Sequence, residues 1–119
     1  MENLVAQLDK IDFIDLDIDE LLDSRDCAPF DNEWMRVYNE IEALKGQNGY
    51  SAESEKYNAE IRELVFRKVY KLCEDGDLAG YISDDFGMIA DSRLLRFADT
   101  WLDKLINCYE CARIPSGKL

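Results

Sequence analysis

Histidine is absent from this chain of 119 residues, and long apolar runs are absent as well. Without an imidazole there is no serine–histidine or cysteine–histidine nucleophile pair and no histidine metal ligand. No apolar run approaches the roughly 18 residues that a membrane-spanning helix needs. The segment Met1-Glu2-Asn3-Leu4 lacks the basic and apolar stretches of a secretory signal. The sequence therefore predicts a cytoplasmic protein that does not use histidine chemistry.

The four cysteines are scattered along the chain, and their spacing forms neither a disulfide framework nor a zinc signature. The four positions are Cys27, Cys73, Cys108 and Cys111. Cys108 and Cys111 form a single C-x-x-C at the end of a predicted helix. A zinc site needs a second such pair, and a redox motif belongs at a helix amino terminus. We therefore predict free thiols that pack as small apolar side chains.

The alternating aspartates Asp15, Asp17 and Asp19 resemble the first ligands of a calcium-binding loop. Such a loop requires glycine at its sixth position and glutamate at its twelfth. This chain has Glu20 and Asp26 at those positions. Calcium binding is therefore not predicted, and we expect no metal and no other cofactor.

Negative charge is the strongest feature of the composition. The chain has 26 acidic and 14 basic residues, a net charge of -12. Residues 1–31 contain ten acidic and two basic residues, so about two thirds of the excess lies in the first quarter of the chain. Such a field repels nucleic acid and anionic membranes and speeds the docking of cationic partners. The charge therefore favours binding to a basic macromolecule.

Apolar residues recur at helical spacing along most of the chain, which predicts a single all-α domain over residues 1–119. We expect a bundle of about five helices, with an acidic segment 1–31, a helical core 31–112 and an exposed tail 113–119. Residues 11–16 fit both a strand and a helix. The predicted helices are 18–24, 31–45, 52–74, 83–97 and 99–112, and residues 2–9 fit a further short helix.

Capping residues set the expected helix starts. Asp17, Asp31, Ser51 and Asp99 are predicted caps, and Ser83 or Asp84 is expected to cap the fifth helix. This start places Asp84 and Asp85 near the positive end of that helix dipole. Asp75-Gly76-Asp77 is predicted to be a turn. The core-facing residues expected on the last four helices are Trp34, Val37, Tyr38, Ile41, Leu44, Tyr57, Ile61, Leu64, Val65, Val69, Leu72, Cys73, Phe86, Ile89, Ala90, Leu94, Phe97, Trp101, Leu102, Leu105, Cys108 and Tyr109.

The acidic segment has two interpretations that the sequence leaves open. It is either a solvated face that maintains solubility or a docking surface for a basic protein. The candidate partner-binding residues are Asp12, Asp15, Asp17, Asp19, Glu20, Asp23 and Asp26. Buried aromatic anchors usually supply the affinity of an interface. The sequence does not distinguish exposed from buried rings among Trp34, Tyr50, Tyr57, Tyr81 and Tyr109.

The last third of the chain resembles segments of small bacterial immunity proteins, which protect a cell from the toxin domain of a contact-dependent inhibition or polymorphic toxin system. The stretches that carry the resemblance are Ile82-Ser83-Asp84-Asp85-Phe86-Gly87-Met88-Ile89-Ala90, Trp101-Leu102, Tyr109 and Ile114-Pro115. The resemblance implies a soluble protein with no enzymatic role that binds one toxin tightly. Many such toxins are basic nucleases, which agrees with the acidic character of this chain.

Our hypothesis is therefore an immunity protein, not an enzyme, that binds a cognate basic toxin domain, an RNase or DNase, and covers its active or substrate-binding cleft. One alternative is an acidic interaction module or nucleic-acid mimic, such as a phage-type inhibitor, without a cognate toxin. A mimic would present two long rows of exposed acids. Another alternative is a small carboxylate or metal enzyme, which a deep pocket of converging acids would indicate.

Overall fold

The computed structural model describes residues 1–119 and contains six α-helices and no strand, which confirms the all-α prediction. The number of helices is close to the predicted five. A 3-10 turn, Leu8–Lys10, follows the first helix. No helix is both long and apolar enough to cross a bilayer. The helices are α1 (Glu2–Gln7), α2 (Ile18–Arg25), α3 (Phe30–Asn48), α4 (Ala52–Cys73), α5 (Gly76–Leu94) and α6 (Thr100–Glu110).

The fifth helix, α5, is the centre of the fold, and most of its side chains are buried all the way round. The α4 helix runs antiparallel along it. Asn58 donates from Nδ2 to the carbonyl of Gly87 at 2.8 Å, and Ser83 donates from Oγ to the carbonyl of Arg62 at 2.8 Å. A Cβ at Gly87 would lie 2.7 Å from Cδ of Arg62, so this glycine permits the close approach of the two helices.

The predicted start of α5 at Ser83 or Asp84 is wrong, because the helix begins at Gly76. Asp75, which was predicted to lie in a turn, accepts a hydrogen bond from the backbone N–H of Leu78 at 2.9 Å and caps the helix. The chain reverses at Glu74, which adopts a left-handed conformation with φ of 56°. Asp84 and Asp85 consequently lie in the middle of α5 and not at its positive end.

Three of the predicted caps are confirmed by hydrogen bonds. The side chains of Asp17, Ser51 and Asp99 accept from backbone N–H groups at 3.1, 3.0 and 3.0 Å. The predicted cap Asp31 is wrong, because α3 begins one residue earlier and has no side-chain cap. Asp31 instead lies in its first turn, where negative charge suits the helix dipole.

The remaining connections differ from the predictions in two places. Residues 11–16 form neither a strand nor an α-helix, which resolves the ambiguity of that segment. The tail 113–119 was expected to be exposed, yet Pro115 is buried and Ile114 and Leu119 pack against the core. The tail is held because the carbonyl of Pro115 accepts a hydrogen bond from Arg25 at 3.3 Å.

The core contains most of the predicted inward residues but not all of them. The exceptions lie at the edges of the apolar stripes, where no neighbouring helix covers them. Leu94, for example, is 43% exposed, whereas Phe86 on the same helix is fully buried. The predicted core residues that are exposed are Tyr38, Tyr57, Leu64, Leu72 and Leu94.

Candidate functional site

All seven predicted partner-binding carboxylates are exposed, and none of them forms an ion pair within the chain. Asp19 and Asp23 lie one turn apart on α2, and Asp26 follows directly after the end of that helix. We call the complete set the acidic face. Its members are Asp12, Asp15, Asp17, Asp19, Glu20, Asp23 and Asp26.

Three side chains of the acidic face have structural roles within the chain. Asp12 accepts from the N–H of Ile14 at 3.1 Å, Asp17 caps α2, and Asp26 accepts from the hydroxyl of Tyr81 at 2.5 Å. The other four carboxylates make no hydrogen bond within the chain and remain available to a partner. These four are Asp15, Asp19, Glu20 and Asp23.

An exposed apolar residue lies within the acidic face. Ile14 is 92% exposed, while its neighbour Phe13 is buried and fastens the loop to the core. Asp12 and Asp15 flank this side chain in sequence. Apolar surface surrounded by charge is typical of an interface, where the apolar contact supplies affinity and the rim supplies steering.

The opposite side of α2 carries a buried ion pair that sequence reasoning missed. Arg25 and Asp85 are 5% and 0% exposed and form a bidentate pair, with nitrogen–oxygen distances of 2.6 and 2.8 Å. Trp34 donates from Nε1 to Asp85 at 2.9 Å, and the hydroxyl of Tyr109 donates to it at 2.5 Å. The carboxylate of Asp85 therefore joins α2, α3 and α6 to the central helix.

Burial and charge shift the pKa values of this network. Burial acts to lower the pKa of the Arg25 guanidinium, but attraction to Asp85 outweighs it and raises that pKa above its ordinary value. Burial and the charge of Asp85 together raise the pKa of the Tyr109 hydroxyl well above its usual 10.0. One sequence signal could have indicated the pair. Arg25 follows Ile18, Leu21 and Leu22 at helical spacing, and a buried arginine requires a partner.

The Tyr109 hydroxyl gives the fold a predicted sensitivity to alkaline pH. Because its pKa is raised on folding, its stabilising contribution is complete below about pH 10 and declines as the pH rises further. We expect the free energy of unfolding to fall above pH 10, and to fall less in Tyr109→Phe. Urea unfolding at pH 8, 10 and 11.5 measures this difference. Equal alkaline losses in the two proteins would contradict this assignment.

A second polar cluster fixes the carboxyl-terminal part of α3 against α5. Lys45 pairs with Asp91 at 2.8 Å, and the hydroxyl of Tyr50 donates a hydrogen bond to Asp91. The ammonium of Lys45 also lies 4.4 Å from the centre of the Tyr50 ring. Burial, followed by the contact with Asp91, raises the pKa of Tyr50 to about 12. All these groups have partners within the chain, so the cluster is structural.

Two cavities lie on either side of Trp34. One, of about 410 Å³, runs between α3 and α4 with α5 as its floor. The other, of about 160 Å³, lies between α2, α3 and α5 and reaches the acidic face at Asp26. Trp34, Met35 and Asp84 line both cavities. We call the smaller cavity, with these shared residues, the Trp34 cleft.

The cysteines show no arrangement for metal or redox chemistry. All four are free thiols, and burial raises the pKa of Cys73 and Cys108. A reactive thiol requires the opposite shift. No group of three or more histidine, cysteine, aspartate or glutamate side chains is placed to hold a metal ion.

The fold and the exposed charge define a class of small helical proteins with an anionic face and a rigid, ion-paired centre. The family model described as Immunity protein PIM1 matches residues 3–116. Because the match covers almost the whole chain, the chain belongs to this immunity protein family. No curated protein matches it in sequence. The resemblance to immunity proteins is thus confirmed, and it implies a toxin as the partner and an inhibitor in place of an enzyme.

Proposed function

We propose that this chain neutralises a cationic toxin domain, an RNase or DNase of a contact-dependent inhibition or polymorphic toxin system, by covering its active or substrate-binding cleft. Membership in an immunity protein family supports a toxin partner. The net charge of -12 supports a basic one. A nuclease binds phosphates with lysine and arginine, and an anionic cover blocks such a cleft both by its bulk and by its charge.

The observation that carries the proposal is the state of the acidic face. Four of its carboxylates are exposed without any partner in the chain, and one of them, Asp15, follows the exposed Ile14 in sequence. The nucleic-acid mimic has less support, because these seven acids lie in one continuous segment and not in two long rows.

Neutralising three free carboxylates tests the steering role of the acidic face. The probe is the protein domain that the gene directly upstream encodes, taken as the candidate toxin under this proposal, which we call the adjacent domain. We expect the Asp15→Asn, Asp19→Asn and Asp23→Asn triple variant to lower the association rate constant about tenfold at low salt, and to weaken its salt dependence. Stopped-flow kinetics between low and physiological ionic strength measure both quantities.

A charge-matched control separates the acidic face from net charge. The Glu53→Gln, Glu55→Gln and Glu60→Gln variant removes the same charge from exposed positions on α4. Its association rate constant should remain within about twofold of the original. Equal losses of association rate in the two triple variants would show that net charge alone, and not the acidic face, sets the association rate. Failure of the unmodified chain to bind the adjacent domain would refute the proposal that this domain is the toxin it neutralises.

A further inference from the structure

The Trp34 cleft combines aromatic walls with a carboxylate rim. Trp34 and Tyr81 provide the accessible rings, since Phe30 is only 1% exposed, and Asp26, Asp31 and Asp84 provide the carboxylates. Cations bind well over aromatic faces, and carboxylates at the edge complete such a site. The protein already shows this preference, since the guanidinium carbon of Arg25 lies 4.5 Å from the centre of the Phe30 ring and 5.4 Å from that of Tyr81.

The electrostatic balance of the cleft is negative. Arg25 is the one cation that lines it, and its charge is compensated by the buried Asp85. Asp84 is paired on its other side with Arg62 at 2.8 Å, and both side chains are about half exposed. Surface pairs of this kind are weak and exchange partners at little cost. The cleft therefore attracts a cation and does not repel it.

Contacts within the unbound chain fix the aromatic walls of the cleft. The indole of Trp34 is fixed by its hydrogen bond to Asp85 and by stacking on Tyr38, with ring centres 5.5 Å apart. Tyr81 is fixed by its hydrogen bond to Asp26. A rigid aromatic pocket loses little conformational entropy on binding, which is the property of interface hot spots.

The position of the cleft connects it with the acidic face, because Asp26 belongs to both. We infer that the Trp34 cleft is the anchor of the toxin interface and receives one arginine side chain of the cationic toxin. A cavity of about 160 Å³ suits a single long side chain and excludes a helix or a nucleotide. Arginine fits better than lysine, because its planar guanidinium stacks on aromatic rings and pairs with carboxylates in two places. This inference rests on the proposed immunity function.

Charge substitution at Met35 tests the inference with the adjacent domain as the probe. Met35 lines the cleft and is 41% exposed, so lysine and glutamate are both tolerated there without unfolding the helix. We expect Met35→Lys to weaken binding by about 30-fold or more, the scale of a hot spot. Met35→Glu should weaken it less than threefold, because the guest is a cation. Titration calorimetry gives both dissociation constants.

The matched control is Leu64→Lys, which places the same charge on α4 at a residue that is 52% exposed and outside both cavities. Its affinity should equal that of the unmodified chain. Equal weakening by Met35→Lys and Met35→Glu would show an apolar contact, and no weakening by either would show that the cleft lies outside the interface. Both results overturn the inference while leaving the immunity function intact. Absence of binding by the unmodified chain overturns the proposed pairing with the adjacent domain, and the inference for that toxin with it.

A second measurement uses this protein alone. N-acetyl-arginine amide should shift the indole N–H resonance of Trp34 in an NMR titration, while N-acetyl-citrulline amide, which is uncharged and of nearly the same shape, should not. The indole of Trp101, which is 8% exposed, is the internal control and should remain unchanged. Shifts of Trp34 by both amides, or by neither, would overturn the assignment of the cleft to an arginine side chain.

Discussion

Asp85→Ala is expected to lower the free energy of unfolding by about 3–5 kcal/mol, the cost of leaving one partner of a buried ion pair alone. Asp85 is completely buried and accepts hydrogen bonds from three side chains, those of Arg25, Trp34 and Tyr109. Without it the guanidinium of Arg25 remains buried with no countercharge. Urea unfolding at pH 7 measures the loss, provided that the slope of the transition is unchanged.

The adjacent residue supplies the control for this prediction. Asp84→Ala removes the same chemical group one position earlier in α5, but Asp84 and its partner Arg62 are about half exposed. We expect a loss of less than about 1 kcal/mol, since surface ion pairs contribute little. Similar losses at the two positions would contradict the buried network.

A double substitution separates the charge from the packing. Arg25→Met combined with Asp85→Leu removes both charges and keeps apolar volume, so we expect much of the stability lost in Asp85→Ala to return. A double variant that is as unstable as Asp85→Ala would show that lost packing or the unpaired donors of Trp34 and Tyr109, and not the uncompensated arginine, cause the loss.

Phe86→Ala is expected to cost about 3–5 kcal/mol, the usual range for a large aromatic residue removed from a core. The Phe86 ring is fully buried and meets Tyr109 edge to face, with ring centres 4.9 Å apart. Leu94→Ala on the same helix should cost less than about 1 kcal/mol, because Leu94 is 43% exposed. Thermal and urea unfolding of the two variants provide the comparison. A large loss at Leu94 would contradict the observed burial.

The contrast between Phe86 and Leu94 shows the limit of helical periodicity. Spacing places both residues on the same apolar stripe, and the stripe correctly predicts a helix. How much of the stripe is buried depends on the neighbouring helices. The apolar pattern of a single helix does not specify where those neighbours lie. The caps Asp17, Ser51 and Asp99 were predictable because capping is a contact between residues three positions apart.

The start of α5 was not predictable from local chemistry. Asp75-Gly76-Asp77 suits a turn and a helix start equally well, since aspartate and glycine favour both. The helix begins there because the apolar residues that follow, including Leu78 and Ile82, are buried under other helices. Tertiary packing therefore decided between two local conformations of similar energy.

The acidic face could be predicted from the sequence, whereas the Trp34 cleft could not. The exposure of the carboxylates was predictable, because unpaired charges are almost never buried. The cleft was not predictable, because the residues that line it come from α2, α3 and α5 and are up to about 60 positions apart in sequence. Arg25 and Asp85 are separated by a similar stretch of sequence. Only the folded chain shows that Trp34 is fixed beside Asp26 and Asp84.

Hydrogen-exchange footprinting of the complex with the adjacent domain tests the central claim most directly. We expect slower exchange on binding in residues 12–26 and in the first turns of α3, with no change along the outer side of α4 around Glu60. Protection confined to α4, with residues 12–26 unaffected, would contradict a toxin interface built on the acidic face.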